Sequence, residues 1–168
     1  KPVQVDMRSF AGPLLINLLF PAFVIDSFGH IKAWNHAVEY MWEFSQDEQV
    51  PLHLISRMFS RRARVILGDH WRSEASKFVV DFYRSTLPVS GRPAYSRTIR
   101  MLEERHGDEF VLLWNEAHRL ISEGGSNAEL SDISGMRVRY ESDSGPIEYL
   151  VLQSAFRFST PYALFIHV

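Results

Sequence analysis

Pro21-Ala22-Phe23-Val24-Ile25-Asp26-Ser27-Phe28-Gly29-His30-Ile31-Lys32-Ala33-Trp34-Asn35-His36-Ala37 is the stretch that decides the fold. Ala22 to Asp26 is rich in β-formers and predicts a strand. Ser27 to His30 predicts a turn, with Gly29 supplying the positive φ that a tight hairpin needs. Ile31 to Trp34 alternates inward and outward as a second strand. Asn35 is a natural N-cap for the run His36 to Phe44, where Ala37, Tyr40, Met41 and Phe44 form one apolar face. A hairpin that passes at once into a helix is therefore the opening unit.

Upstream, Leu14, Leu15, Leu18 and Leu19 give Phe10 to Leu19 a helical spacing that Pro21 stops. Downstream, Leu52 to Phe59 predicts a short helix opened near Pro51. Arg61 to about Thr86 predicts a long one, with apolar contacts at Val65, Ile66, Trp71, Ala75, Phe78, Val79 and Phe82, a break at Gly68 and an end at Pro88. Ser96 to Arg105 and Asp108 to Ser122 are two further helices. The second carries a buried stripe of Phe110, Leu113, Trp114, Ala117 and Leu120 and stops at Gly124-Gly125. After the polar linker Ser122 to Ser134 the period changes to two, over Met136 to Glu141, Ile147 to Phe158 and Tyr162 to Val168. The fold class is α+β: a five-stranded antiparallel sheet, two strands from the start and three from the end, with helices packed on one face. One domain spans residues 1–168, with 1–20 as a helical lead-in.

At 168 residues, 46% apolar and 23% charged, the chain can bury a core without staples. It has no cysteine, which excludes disulfides, cysteine-ligated zinc and iron–sulfur or flavin–cysteinyl chemistry and fits a reducing, cytoplasmic setting. A net charge of −2 makes this chain alone a poor candidate for DNA contact. No apolar run approaches the roughly 20 residues of a membrane span, so no membrane partner is expected. No secretory leader pattern is visible, and a start at Lys1 rather than Met points to a piece of a longer chain. Aromatic residues reach 13%, a content that serves either a bulky core or the lining of a small-molecule pocket.

Strand pair, helical crossover and three-stranded meander together resemble a Per-Arnt-Sim (PAS) sensor domain. More narrowly, the Pro-Ala-aromatic strand at Pro21 and the strand end Ala33-Trp34-Asn35 resemble the ligand-binding module of MmyB-like bacterial transcription regulators. Leu54, Ile55, Met58 and Phe59 look like that family's short apolar helix, Trp71 sits at its acidic-Trp position, and Glu109 to Trp114 is similar to its Glu-Phe-x-x-Leu-Trp segment. The chain departs from the pattern at His53 and Ser56, where the family usually shows Asn and Arg, and at Ala117, where it places His. It also lacks the His-Pro pair before the final strands, in the region of Met136. The resemblance implies an XRE-type helix-turn-helix upstream of Lys1, through which alone DNA is contacted. It also implies a fatty acid or similar apolar small molecule bound between sheet and helices, with no other cofactor.

Candidate walls for such a ligand are Phe23, Ile25 and Trp34 on the first strands, and Leu150, Leu152 and Phe165 on the last. On the helices they are Phe59, Trp71, Phe78, Phe82 and Trp114. Each buried methylene contributes about 0.8 kcal/mol, so a tail of roughly 12–16 carbons supplies on the order of 10 kcal/mol before ordering costs. Arg57, His118 and Arg72 are the basic residues nearest these walls for a carboxylate head. Equally, the same aromatics could fill a solid core. Asn35 is either an N-cap or an amide at the pocket mouth. The run Arg57, Arg61, Arg62 and Arg64 is a solvated helix start, a DNA-backbone contact or a grip on an anionic head group.

The seven histidines show no H-E-x-x-H spacing, so no metal site is expected, and a haem would need His70 or His118 as its axial ligand. No nucleophile elbow, phosphate-cradling loop or paired acid and base is visible, so a catalyst is not expected. The rival to a ligand sensor is a homodimerisation module using the open sheet face at Tyr149, Val151 and Gln153.

Overall fold

The computed structural model describes residues 21–42 and 52–124 and the backbone of strands at 133–142, 145–157 and 162–167; side chains are described over 21–39 and 52–124. The helix expected over Phe10 to Leu19, most of the Ser122 to Ser134 linker, Phe44 and the side chains of Tyr40 and Met41 lie outside these residues. The protein is α+β, with two compact units, residues 1–54, 132–135 and 151–168 in one, and 55–131 and 136–150 in the other.

In the first unit, β1 (Ala22–Asp26) and β2 (Ile31–Trp34) form the expected antiparallel hairpin, turned at Gly29 with φ 85°. Phe23 pairs with Trp34 and Val24 with Ala33, after which the register slips so that Ile25 faces Ile31. Such a bulge increases local twist. The Asp26 carboxylate fixes the turn: Oδ1 accepts the amides of Phe28 (2.9 Å) and His30 (3.0 Å), and Oδ2 lies 3.3 Å from His30 Nδ1 and 3.1 Å from Lys32 Nζ. Burial alone raises this carboxyl, but the hydrogen bonds from His30 and the charges of His30 and Lys32 outweigh it and bring the pKa down to about 2.

Asn35 closes the hairpin and starts α1 (His36–Trp42). Its Oδ1 accepts both the Ala22 amide (3.0 Å) and the Val38 amide (3.2 Å), and its own N–H donates to Ala22 O at 3.0 Å. The cap expectation holds, and the same atom latches the start of β1. That latch turns Val38 into the core, fully buried, while Ala37 is only half-buried.

The short helix starts later than expected. Leu52 and His53 are extended against the hairpin turn, through Ile31 N–H to Leu52 O (2.8 Å), Leu54 N–H to Gly29 O (2.9 Å) and His53 Nε2–H to Phe28 O (2.8 Å). Those backbone groups are committed to the turn, so α2 covers only Leu54–Met58.

Three later strands are β3 (Ile133–Ser142), β4 (Gly145–Arg157) and β5 (Tyr162–His167). Antiparallel pairing runs from Ala22↔Ile166 to Asp26↔Tyr162 between β1 and β5, and from Gln153↔His167 to Arg157↔Ala163 between β4 and β5. The hydrogen-bonded order is β2-β1-β5-β4-β3. Flanked on both edges, β1 buries Ala22, Phe23, Val24 and Ile25 in succession.

In the second unit, α3 (Arg61–Leu67) is capped by Ser60 Oγ, which accepts the Ala63 amide at 3.1 Å. Its two turns bury Ala63, Ile66 and Leu67, and Val65, expected as a core contact, points the other way at 59% exposed. Gly68, at φ 50°, breaks the long helix as expected and leads through a 3-10 turn into α4 (Trp71–Thr86). A second 3-10 turn at Leu87–Val89 ends it and leads to α5 (Pro93–Glu123). The two helices expected here are the halves of α5, which kinks at Gly107 (φ 61°, ψ −148°). A Cβ there meets nothing within 4 Å, so the glycine serves the backbone angle rather than space. The stripe Phe110, Leu113 and Ala117 is buried and Trp114 half-buried, but Leu120 is 42% exposed where the helix end meets solvent.

Candidate functional site

Helical spacing on α4 and α5 gathers aromatic side chains into a track within the second unit. It begins at Trp71, whose indole N–H donates to Met58 O at 2.7 Å. The Arg64 guanidinium lies 3.7 Å above the Trp71 ring, and Arg64 also pairs with Glu109. Phe59 stands edge-on to Trp71 at 5.5 Å between centroids and reaches Phe110 at 6.0 Å. Phe110 stacks on Trp114 at 5.5 Å. Trp114 then meets Phe82 (6.1 Å), Tyr83 (4.9 Å) and Tyr95 (6.5 Å). The track ends where Tyr83 Oη and His118 Nδ1 are 2.7 Å apart.

Burial grades along it. Phe59, Trp71, Phe82 and Phe110 are buried, Trp114, Tyr83 and Tyr95 half-buried, and His118 exposed. Ring pairs at these distances are held by dispersion and quadrupole terms, each of roughly 0.5–1.5 kcal/mol beyond burial, without the directional demands of hydrogen bonds.

A polar cluster flanks the buried end. His106 lies 5.0 Å from Phe59, ring to ring, and its Nε2 is 2.9 Å from Ser56 Oγ. Arg105 Nη1 donates to that hydroxyl at 3.4 Å. Burial first, then the charges of Arg105 and Arg64, push His106 down to about 4, against a smaller opposing pull from Glu109. At neutral pH the imidazole is uncharged, and its Nε2 shares a hydrogen bond with the Ser56 hydroxyl. Among the described residues, no group of three or more His, Asp or Glu could hold a metal ion. Among them too, no helix is long and apolar enough to cross a membrane.

Of the residues singled out from sequence, the structure brings together Phe59, Trp71, Phe82, Trp114 and His118. Phe78 and Arg57 are half-buried on α4 and α2, and Arg72 is exposed. In the first unit Phe23 and Ile25 are buried, and half-buried Trp34 donates its indole N–H to Glu39 Oε1 at 2.9 Å. Asn35 Oδ1 is committed to the hairpin corner.

Direct pairing puts positions 34, 23, 165 and 155 in one row of the sheet. The side chains of Leu150, Leu152 and Phe165, and of Tyr149, Val151 and Gln153, lie outside the described residues.

Phe110, Tyr83, Tyr95, Ser56 and His106 were not expected at the site. Ser56 and His106 are 50 residues apart, with no local pattern to join them. Tyr83 could have been found, since it follows Phe82 on the same helix and is one turn short of Leu87.

The family described as the MmyB-like transcription regulator ligand binding domain matches residues 14–138, most of the chain. No curated protein matches it.

Proposed function

The chain belongs to the family of MmyB-like transcription regulator ligand-binding domains, and from that premise we propose that it is a PAS-like sensor whose ligand is a fatty acid or a similar long apolar molecule. The observation that carries this reading is the track from Trp71 to Trp114, continuous in ring contacts and graded from buried to solvent-facing. A tail lying along it gains about 0.8 kcal/mol per methylene removed from water. At the exposed end His118, with Nδ1 at Tyr83, presents its other ring nitrogen to a carboxylate. The strand order β2-β1-β5-β4-β3, two N-terminal strands beside three C-terminal ones, supports the PAS-like part.

In this reading the protein binds and does not catalyse. A guest that favours one packing of α4 on α5 shifts the population of that packing and biases the attached DNA-binding domain, an XRE-type helix-turn-helix by the family likeness. Native mass spectrometry of the purified chain, with solvent extraction, tests it. A bound long-chain acid, or saturable quenching of tryptophan emission by added palmitic acid that Trp114→Ala weakens, is the expected result. A chain that neither carries nor takes up any fatty acid overturns the reading.

A further inference from the structure

We propose that the arginine surface formed by α2, α3 and the first half of α5 binds the phosphate backbone of duplex DNA, so that this module contacts DNA in its own right. The overall charge of −2 conceals a strong local asymmetry. Arg57, Arg61, Arg62 and Arg64 fall within eight residues, and no Asp or Glu occurs between Glu48 and Asp69. The chain turns at Ser60, the N-cap of α3, so these arginines are presented from two helices. A third helix adds Arg105, whose guanidinium reaches Ser56 Oγ, next in sequence to Arg57. Arg61 and Arg105 are exposed, and Arg64 retains 42% side-chain exposure while paired with Glu109.

After burial, the charges of Arg105 and Arg64 depress His106, against an opposing pull from Glu109. Guanidinium carries five donors in a planar fork suited to phosphate, so one intramolecular partner leaves donors for a ligand. Arginines spread over three helices match an extended anion better than a single small one, and duplex DNA carries a negative charge every ~1.7 Å of its axis. The inference does not depend on the apolar ligand.

Fluorescence anisotropy of this chain with a labelled duplex of about 20 base pairs, in KCl from about 20 to about 300 mM, is the test. Binding should be insensitive to sequence and weaken with salt, with a log–log slope of about −2 to −4. Arg61→Glu combined with Arg105→Glu should lower affinity at least about tenfold and flatten that slope. The milder pair Arg61→Gln and Arg105→Gln should act in the same direction, which keeps the result readable if charge reversal disturbs folding. Arg119→Glu, the same reversal at a single residue paired with Glu123, should leave binding within about twofold. The proposal is overturned by no binding at the lowest salt or by an equal loss from Arg119→Glu. Tighter binding to phosphatidylglycerol vesicles than to duplex would also overturn it.

Discussion

The hairpin corner and the aromatic track hold themselves together by opposite means. Around Asp26, Asn35 and His53, order comes from hydrogen bonds of 2.8–3.3 Å that fix each polar atom to a named partner. Along Trp71, Phe59, Phe110 and Trp114, order comes from ring faces and edges at 5.5–6.0 Å. A hydrogen bond displaced by an ångström is lost, and a buried donor left without one costs about 1–3 kcal/mol. A ring contact displaced by the same amount is only weakened. The corner is suited to holding one shape, and the track tolerates small displacements of its rings.

The largest effect that sharpens this contrast belongs to Phe110, fully buried and touching both Phe59 and Trp114. Phe110→Ala should lose about 3–5 kcal/mol in urea unfolding, and a loss under about 1 kcal/mol would mean the track is not packed. Asn35→Ala comes next, at about 1–3 kcal/mol, because the buried amides of Ala22 and Val38 lose their acceptor. Asn35→Asp keeps that oxygen and should be milder; equal losses would show that the amides do not depend on it.

Asp26 gives a smaller, pH-dependent effect. Its folded pKa of about 2 lies below the ordinary 3.8, so its stabilisation is fully present above about 4 and disappears as pH falls through about 2. Asp26→Asn should therefore cost about 2 kcal/mol at pH 7 and almost nothing near pH 2. A pH-independent difference between variant and parent would break the assignment.

His106 supplies a second pH-dependent effect, on the track side. Its folded pKa of about 4 lies below the ordinary 6.5, so stability falls as pH drops from about 6.5 through about 4. Imidazole proton shifts in an NMR titration should place the midpoint near 4, and Arg105→Gln should move it upward. An unchanged midpoint would remove Arg105 as a cause.

Local chemistry made part of this legible from sequence. Gly29, Gly68 and Gly107 all take positive φ, and each falls at or beside a turn or helix break anticipated from the residues. Asn35 could be recognised as a cap because capping is decided within three residues. Its second bond, to Ala22, is 13 positions away and could not be seen. His53 looked like an ordinary helix residue, because its burial depends on Phe28, 25 positions earlier. Val65 was misjudged because apolar type does not fix direction on a two-turn helix. The track was half visible: Phe59, Trp71, Phe82 and Trp114 stood out by size, but their order in space is set by how α4 meets α5, which no single segment encodes.

Gly107 gives Phe59 a mechanical role. His106 just before the kink and Phe110 just after it both rest on the Phe59 ring. That ring is a common bearing for the two arms of α5. Any opening or closing of the angle at Gly107 must slide one arm or both across it, so the long helix cannot flex at its weakest point without disturbing the track.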